Sequence, residues 1–333
     1  MFIVSSYSLA VVFTIITMFC WGSWANTQKL AGKTWRFELF YWDYVIGILL
    51  TSLVFAFSLG SNGVEGRPFL SDINQADSGT LLTAFAGGVI FNLANILVVA
   101  AIAITGIAVA FPVGIGLALV LGVILNYIYK PEGDPFYLFA GVALVTAAIV
   151  LDAIAYKKMG GKGNKIQLKG ILFAITGGIL MAMFYRFVAG SMANSFSQPE
   201  AGKLTPYTAV VVFSVGVLVS NFLFNTILMK RPIEGSPVNY LQYFKGKPLI
   251  HLVGVLGGGI WCLGMSLNII ASGQAGYAIS YGLGQGATLV AAIWGVFVWR
   301  EFKGAPKGVN SLLAFMFLAF FAGLTLIIHS KFI

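Results

Sequence analysis

The fold is decided by two similar stretches of sequence. Residues 79–130 read GTLLTAFAGGVIFNLANILVVAAIAITGIAVAFPVGIGLALVLGVILNYIYK, and residues 249–300 read LIHLVGVLGGGIWCLGMSLNIIASGQAGYAISYGLGQGATLVAAIWGVFVWR. With a shift of 170 residues the two align without a gap, and their glycines coincide: Gly87, Gly88, Gly106, Gly114 and Gly116 fall on Gly257, Gly258, Gly276, Gly284 and Gly286. Each stretch joins two hydrophobic segments through a turn that contains glycine. In a hydrophobic chain, such an internal repeat predicts a transporter built from two related halves.

The composition of the chain is typical of a protein that crosses a membrane many times. Of its 333 residues, 59% are hydrophobic and 9% are charged, and the mean hydropathy is +0.91. A soluble domain of this composition would expose too much apolar surface to water. The net charge of +9 lies mainly in short loops, where the positive-inside rule explains it better than nucleic-acid binding does. The cysteines, Cys20 and Cys262, lie in apolar segments and indicate neither a disulfide framework nor a metal site.

Ten segments are long and apolar enough to cross a bilayer as helices. We place them at residues 7–30, 38–60, 79–103, 106–129, 136–156, 167–192, 206–229, 248–271, 275–299 and 310–329. The predicted fold class is therefore an all-α integral membrane protein with ten transmembrane helices.

The distribution of lysine and arginine predicts the orientation of these helices. Most of these residues follow the odd-numbered segments, with the densest group in the linker from Lys157 to Lys169. We therefore place this linker in the cytoplasm and both termini outside. It joins two five-helix halves, residues 1–160 and 161–333. Because five is an odd number, the halves have opposite orientations, which predicts a five-plus-five inverted-topology repeat.

The glycines of the repeat have two interpretations. Gly87 and Gly88, like the run from Gly257 to Gly259, allow close helix packing, and packing alone is the preferred explanation. Pro112 and the sequence Gly282-Leu283-Gly284 lie at equivalent depths in the two halves. There we expect the helices to bend or break beside a cavity.

Polar side chains within the spans are candidates for binding a solute, because a polar group in hydrocarbon needs a partner. In the ninth span, Tyr277, Tyr281 and Gln285 are four residues apart and share one helix face, while their repeat mates are apolar. The alternative interpretation of these three is that they tie helices together. In the third span, Asn92 and Asn95 share a face and are candidates to bind amide or hydroxyl groups of the solute.

Tryptophans form a second group of candidates. Trp21, Trp24 and Gln28 recur on one face of the first span, and Trp261 lies in the eighth. Indole rings stack on planar heterocycles or on the apolar face of a sugar, but they also anchor helices at the membrane surface.

Three charged residues fall within or near the spans. Asp43 lies just over a turn inside the second span and is our candidate for proton coupling; the alternative is an interfacial ion pair with Arg36 or Lys33. Arg186 lies deep in the sixth span, where an unpaired charge is expensive, and is expected to be functional. Asp152, close to Lys157, is expected to be an interfacial acid.

Several short motifs, in this order and at this spacing, resemble the ureide permease family of the drug/metabolite transporter superfamily. They are Trp21-Gly22-Ser23-Trp24, Tyr41-Trp42-Asp43-Tyr44, Ala86-Gly87-Gly88-Val89, Leu125-Asn126-Tyr127, Tyr207-Thr208-Ala209, Gly273-Gln274-Ala275-Gly276-Tyr277-Ala278 and Trp294-Gly295-Val296 before Arg300-Glu301. The resemblance covers nearly the whole chain.

The resemblance implies secondary active uptake, commonly proton-coupled, of allantoin-like ureides or of oxo-heterocycles such as uracil or xanthine. Its motifs carry Asp43, Asn126, Gln274 and Tyr277 over as candidate functional positions. Plant members have a long central loop with a nucleotide-binding-like motif, whereas residues 157–167 here are short and lack that motif. We therefore expect no ATP binding and a bacterial relative in the inner membrane. Neighbouring families carry glucose, ribose or rhamnose.

Other classes of protein fit the sequence less well. An enzyme would need a catalytic set, and the chain's two histidines, His251 and His329, lie near span ends without metal-ligand spacing. An exporter of cationic drugs would be expected to carry a deep carboxylate, whereas the deep charge here is Arg186.

The sequence thus predicts a proton-coupled symporter for a small polar solute, without a cofactor. The preferred solute is a ureide or nucleobase-like heterocycle, and the alternatives are a monosaccharide symporter or a drug/metabolite exporter. We expect the solute at mid-membrane between the halves, with its ring stacked on Trp21, Trp24 and Tyr281. Asn92, Asn95, Tyr277 and Gln285 would hydrogen-bond to it, Arg186 would bind a carbonyl or anionic edge, and Asp43 would couple the proton. The oligomeric state, monomer or homodimer, is left open.

Overall fold

The computed structural model describes residues 1–32, 35–159, 167–233 and 235–332. Ten of its helices are long and apolar enough to cross a membrane: α1 (Tyr7–Ala31), α2 (Phe37–Phe57), α3 (Ser78–Thr105), α4 (Val109–Tyr129), α5 (Pro135–Lys158), α6 (Leu168–Ser191), α7 (Pro206–Lys230), α8 (Pro248–Ala275), α9 (Tyr277–Val298) and α10 (Val309–His329). The predicted all-α membrane class is confirmed. Lys33 and the central part of the basic linker, residues 160–166, lie outside the described residues.

The helices begin where the local sequence provides a start signal. The Ser6 hydroxyl accepts a hydrogen bond from the Leu9 amide at the start of α1, and the Asp134 carboxylate accepts one from the Tyr137 amide at the start of α5. These side chains satisfy amide groups that have no partner within the helix. Proline opens α5, α7 and α8, where its missing amide hydrogen removes no helical hydrogen bond. Two short helices, Phe69–Gln75 and Tyr240–Phe244, lie in the loops.

Three of the membrane helices are interrupted. α1 changes register at Trp24, between the helical segments Tyr7–Ser23 and Ala25–Ala31. In α4 a π-helical turn begins at Pro112 and ends at Gly116, as expected from the missing amide hydrogen of proline. In α9 the expected break at Gly282 and Gly284 is wrong: both lie inside the helical segment Tyr277–Gln285, and the interruption follows at Gly286.

Two repeat mates have the same unusual backbone conformation. Gly106 has φ 79° and Gly276 has φ 86°, and each immediately precedes the first helical residue of a segment. A side chain is strained at such positive φ angles, whereas glycine is not. The glycines that align in sequence therefore perform the same turn in the structure.

The chain forms two compact units that do not coincide with the two predicted halves. Unit 1 contains Met1–Asn92 and Phe184–Gln274, and unit 2 contains Leu93–Met183 and Ala275–Ile333. Each unit thus draws helices from both halves of the sequence. The division of the sequence at residue 160 into inverted repeats stays a prediction.

Within unit 1, glycines bring helix backbones into direct contact. A Cβ atom added to Gly88 of α3 would lie 2.0 Å from the Phe213 carbonyl oxygen of α7, and one added to Gly258 of α8 would lie 1.8 Å from the Tyr44 carbonyl oxygen of α2. Gly88 and Gly258 are repeat mates. Gly88 and Gly258 therefore both allow close helix packing, which is the preferred explanation for these glycines.

Unit 2 has a reciprocal contact of the same kind. A Cβ added to Gly141 of α5 would lie 2.6 Å from the Gly323 carbonyl oxygen of α10, and a Cβ added to Gly323 would lie 2.8 Å from the Gly141 carbonyl oxygen. Such small-residue contacts are a main source of helix association in lipid.

Candidate substrate and proton sites

A cluster of aromatic rings surrounds Trp261 in unit 1. Trp21 stacks on Trp261 with ring centroids 5.9 Å apart and an interplanar angle of 13°, and its indole nitrogen donates to the Trp261 carbonyl oxygen at 3.2 Å. The Phe91 ring lies 4.4 Å from Trp261, and the Trp24 ring lies 4.6 Å from Tyr44. The structure thus places Trp21, Trp24 and Trp261 in one aromatic region.

Tyr44 was not among the predicted site residues, although it belongs to the quoted Tyr41-Trp42-Asp43-Tyr44 motif. Its side chain is fully buried, and its hydroxyl has no hydrogen-bond partner among the described residues. Its ring also lies 6.5 Å from that of Trp261. Its place in the aromatic region could not be read from the sequence, because a tyrosine near a span end is usually an interfacial anchor.

Asn92 is at the centre of a hydrogen-bonded network that joins three helices of unit 1. The Tyr41 hydroxyl donates to Asn92 Oδ1 at 2.9 Å, and Asn92 Nδ2 donates to Ser220 Oγ at 2.9 Å and to the Val217 carbonyl oxygen at 3.3 Å. The side chain is fully buried. This amide therefore ties helices together, and its role in solute binding stays a prediction.

Arg186 lies half-buried in the last two turns of α6. A Cβ added to Gly190 would lie 2.5 Å from Arg186 Nη1, so the guanidinium lies along the final turn of the helix. The Lys203 ammonium donates to the Gly190 carbonyl oxygen at 3.2 Å. Two positive charges therefore lie near the end of α6 that we predict to face outward. Gln28, also half-buried, lies in the helical segment after the Trp24 interruption.

Asp43 is buried at the first turns of α2, with 1% of its surface exposed. Its Oδ1 accepts hydrogen bonds from the Tyr243 hydroxyl at 2.7 Å and lies 2.9 Å from His251 Nδ1. Its other oxygen, Oδ2, is buried without a partner among the described residues, as is the indole nitrogen of Trp35. One oxygen of the carboxylate is thus held by two partners, and the other accepts no well-formed hydrogen bond from the described residues.

The partners of Asp43 differ from those of the alternative interpretation. Arg36 forms its ion pair with Glu38, at 2.5 Å, and Asp43 instead pairs with His251 of α8. Tyr243 belongs to the short loop helix Tyr240–Phe244, outside the spans. Burial and the hydrogen bond to the Asp43 carboxylate raise the pKa of Tyr243 above its ordinary value, so that the phenol keeps its proton and remains a donor.

Sequence reasoning missed the pairing of Asp43 with His251. One signal points to it in retrospect. Asp43 lies in the second turn of α2 and His251 in the first turn of α8, and both helices begin at loops rich in lysine and arginine. The positive-inside rule therefore puts both residues at one membrane depth, but it does not show that α2 and α8 are neighbours.

The predicted stripe on α9 lies in unit 2. Tyr281 is fully buried, and its hydroxyl lies 3.1 Å from the Ala118 carbonyl oxygen and 3.2 Å from the Met181 carbonyl oxygen. A Cβ at Gly122 would lie 2.2 Å from its ring. Tyr281 therefore joins α4, α6 and α9, which is the helix-tying interpretation.

The other predicted residues of unit 2 are buried as well. The ring of Tyr277 stacks on that of Tyr129 at 6.0 Å, with the Lys130 ammonium 5.7 Å from its centroid. Asn95 is 8% exposed and Gln285 is 9% exposed. Of the positions that the motifs carried over, Asn126 is fully buried, whereas Gln274 is exposed.

Asp152 lies near the end of α5. It is 9% exposed, and its Oδ1 has no partner among the described residues. One turn later, the Tyr156 hydroxyl donates to Glu301 Oε2 at 2.5 Å. Asp152 is thus buried within the protein near the end of α5, and its interfacial position stays a prediction.

The described residues contain no group of three or more histidine, cysteine or acidic side chains that could hold a metal ion. Cys20 and Cys262 are both buried and free.

Comparison with known proteins gives a family match along most of the chain. The sequence model described as "Ureide permease" matches residues 40–169 and 157–330. Ureide permease 4 of Arabidopsis thaliana is 24% identical over 402 residues, covering 99% of this chain and 99% of that protein. Ureide permease 1 of the same plant is 22% identical over 392 residues with the same coverage. One solved crystal structure has a TM-score of 0.61 and 16% identity, and the match covers 97% of this chain and 96% of that one.

Proposed function

This chain belongs to the ureide permease family, whose members are membrane transporters, and from that premise we propose that it takes up a ureide or nucleobase-like heterocycle together with a proton. Allantoin, uracil and xanthine are the representative solutes. Relatives named ureide permease match this chain over 99% of their length. This supports a ureide-like solute over a monosaccharide.

The aromatic region of unit 1 supports a planar solute. Trp24 is half-buried, and its ring lies 4.6 Å from that of Tyr44. Planar oxo-heterocycles stack on indole and phenol rings, while their polar edges require hydrogen bonds. We assign stacking to Trp21, Trp24 and Trp261.

Asp43 carries the proposal of proton coupling. A carboxylate that is almost fully buried, with one unpaired oxygen, is stabilised when a proton binds that oxygen, since the buried charge disappears. His251 lies on the opposite oxygen and can exchange a proton with the carboxylate. By the loop charges this group lies near the cytoplasmic side, where a proton that arrives with the solute is released.

Alternating access follows from the inverted repeat that we infer from the sequence. The equivalent roles of Gly88 and Gly258 support that inference, since the backbone contacts of α3 with α7 and of α8 with α2 are of the same kind. We place the protein in a bacterial inner membrane with both termini outside.

The test is uptake of labelled allantoin, uracil and ribose into proteoliposomes with an imposed pH gradient, acidic on the side from which the solute enters. Wild-type protein should concentrate a heterocycle only while the gradient exists. Asp43→Asn mimics the protonated carboxyl, so it should abolish gradient-driven accumulation and retain exchange of labelled for unlabelled solute.

The matched control is Glu38→Gln, which neutralises another buried acid one turn earlier in α2. It should leave the dependence on the gradient unchanged. Accumulation of a heterocycle by Asp43→Asn at the wild-type rate would refute the assignment of the proton, and accumulation of ribose alone would refute the solute class.

A further inference from the structure

Two asparagines of α7 have buried amide atoms without a hydrogen-bond partner in the described part of the chain. Asn221 is fully buried, and neither its Nδ2 nor its Oδ1 has a hydrogen-bond partner. One turn later, Asn225 is also fully buried; its Nδ2 donates to the Glu38 carbonyl oxygen at 2.9 Å, while its Oδ1 has no partner among the described residues. Neither residue was singled out from the sequence.

The depth of Asn221 makes this arrangement expensive. The residue lies nine positions before the end of α7 at Lys230, which corresponds to roughly 13 Å along the helix axis. It is thus inside the hydrocarbon layer, where an unpaired amide costs on the order of 1–3 kcal/mol for each group. Asn92, in the same unit and equally buried, has all its side-chain groups paired, so the unit can satisfy a buried asparagine where packing alone requires it.

The free groups have a definite hydrogen-bonding pattern. Asn221 offers one acceptor and one donor side by side, and Asn225 offers an acceptor, since its nitrogen is already held by the Glu38 carbonyl. Residues four apart lie on the same helix face. Together the two residues leave two acceptors and one donor unpaired among the described residues. A urea group, –NH–CO–NH–, presents the complement: donor, acceptor and donor.

We propose that Asn221 and Asn225 bind the urea group of the transported solute and thereby select ureides and oxo-pyrimidines over sugars. The assignment rests on the proposed function and deepens it, because it names the residues that hydrogen-bond to the polar edge of the solute's ring. A site built to hydrogen-bond a substrate discriminates strongly against an analogue that lacks those groups, since its own polar atoms are then left unpaired.

The first experiment needs no ligand. Asn221→Leu replaces the amide by an apolar group of similar size, and Asn92→Leu does the same at the fully paired position. Because Asn221 has no protein partner to lose, its variant should unfold in detergent at the wild-type temperature or above it. Asn92→Leu should unfold at a lower temperature, since it leaves the Tyr41 and Ser220 hydroxyls without the hydrogen bonds that Asn92 makes with them. An equal loss in both variants overturns the proposal, because a structural water or a protein partner would then satisfy Asn221.

The second experiment measures solute affinity by competition in the uptake assay, with uracil, allantoin and dimethyluracil, in which both ring N–H groups are methylated. For wild-type protein, dimethyluracil should compete at least roughly tenfold more weakly than uracil, a loss of about 1.4 kcal/mol. Asn221→Leu should lose a similar factor for uracil and should distinguish the two compounds less than the wild type does, since only the Asn225 acceptor remains.

The possible failures are distinct. Wild-type uptake of heterocycles with unchanged uracil affinity in Asn221→Leu overturns this inference alone. If wild-type protein takes up no heterocycle and ribose is the solute that competes, the proposed function fails and this assignment fails with it.

Discussion

Replacing Gly258 by alanine should disrupt the packing of α8 on α2. The added Cβ would lie 1.8 Å from the Tyr44 carbonyl oxygen and 2.9 Å from the Ile48 amide nitrogen. Ordinary contact begins near 3.4 Å, so the two backbones must separate by about 1.6 Å along this line. Neither contact is a flexible side chain that can move aside. Overpacking of this kind typically costs about 1–3 kcal/mol, which exceeds the gain of roughly 1 kcal/mol from the higher helix propensity of alanine.

The neighbouring glycine provides the control. A Cβ at Gly259 would contact the Thr51 hydroxyl at 3.1 Å, a small group that can rotate. Gly259→Ala receives the same gain in helix propensity, so its thermal midpoint in detergent should equal or exceed that of the wild type. The midpoint of Gly258→Ala should fall by several degrees. Since His251 lies two turns earlier on α8, this variant should also weaken the contact with Asp43 and reduce gradient-driven uptake.

The reasoning would be refuted by a Gly258→Ala protein as stable as Gly259→Ala. Its repeat mate extends the test, because a Cβ at Gly88 would lie 2.0 Å from the Phe213 carbonyl oxygen. Gly88→Ala should destabilise the protein to a similar degree. A large loss at Gly258 with none at Gly88 would mean that the two contacts are not equivalent and would weaken the inverted-repeat proposal.

Three further predictions concern buried or paired side chains. Tyr281→Phe keeps the ring and loses only the bond to two carbonyl oxygens, so it should cost about 1 kcal/mol and retain uptake; a loss of uptake at unchanged stability would instead favour a direct role in solute binding. Asp72→Asn should reduce the free energy of unfolding by about 3 kcal/mol or more and so lower the thermal midpoint strongly, because Asp72 is fully buried and pairs with Arg67 at 2.7 Å. An unchanged midpoint would contradict this. Burial alone would raise the pKa of Glu132, but the hydrogen bonds and charges of Lys331 and Lys130 outweigh it and hold that pKa below its ordinary value. The stabilisation from this ion pair is thus present above the unfolded-state pKa of about 4.3 and is lost as the pH falls through the folded-state pKa. The thermal midpoints of the wild type and of Glu132→Gln should therefore differ at neutral pH and converge in acid. A difference that persists in acid would refute the ion-pair account.

The membrane helices could be predicted closely because their signal is local. Span boundaries depend on hydropathy, on proline at the start of α5, α7 and α8, and on the turn glycines Gly106 and Gly276, all of which can be read from a short window. The break in α4 was found for the same reason, since Pro112 removes a hydrogen bond wherever it occurs in a helix. Gly282 and Gly284 misled the prediction because glycine permits a break without requiring one.

The candidate site could not be predicted to the same degree, because it depends on which helices are neighbours. Asp43 was recognised as a buried acid, but its partner His251 lies 208 residues away and carries no local mark of that pairing. The two asparagines Asn92 and Asn221 look alike in sequence, yet one is fully paired and the other is not. Which amide has partners is decided by the neighbouring helices, since the partners of Asn92 are Tyr41 on α2 and Ser220 on α7. The periodicity of a single helix does not contain that information.

The repeat conserves packing and leaves the polar chemistry asymmetric. Gly88 and Gly258 perform the same close contact in both halves, so the scaffold is under the same steric constraint twice. His251, by contrast, has the apolar Leu81 as its repeat mate, and the segment of α7 that corresponds to Asp43 is the apolar run from Val210 to Phe213. The pair formed by Asp43 and His251 therefore has no charged counterpart at the aligned positions. The proton site that we propose depends on polar chemistry that the packing repeat does not share.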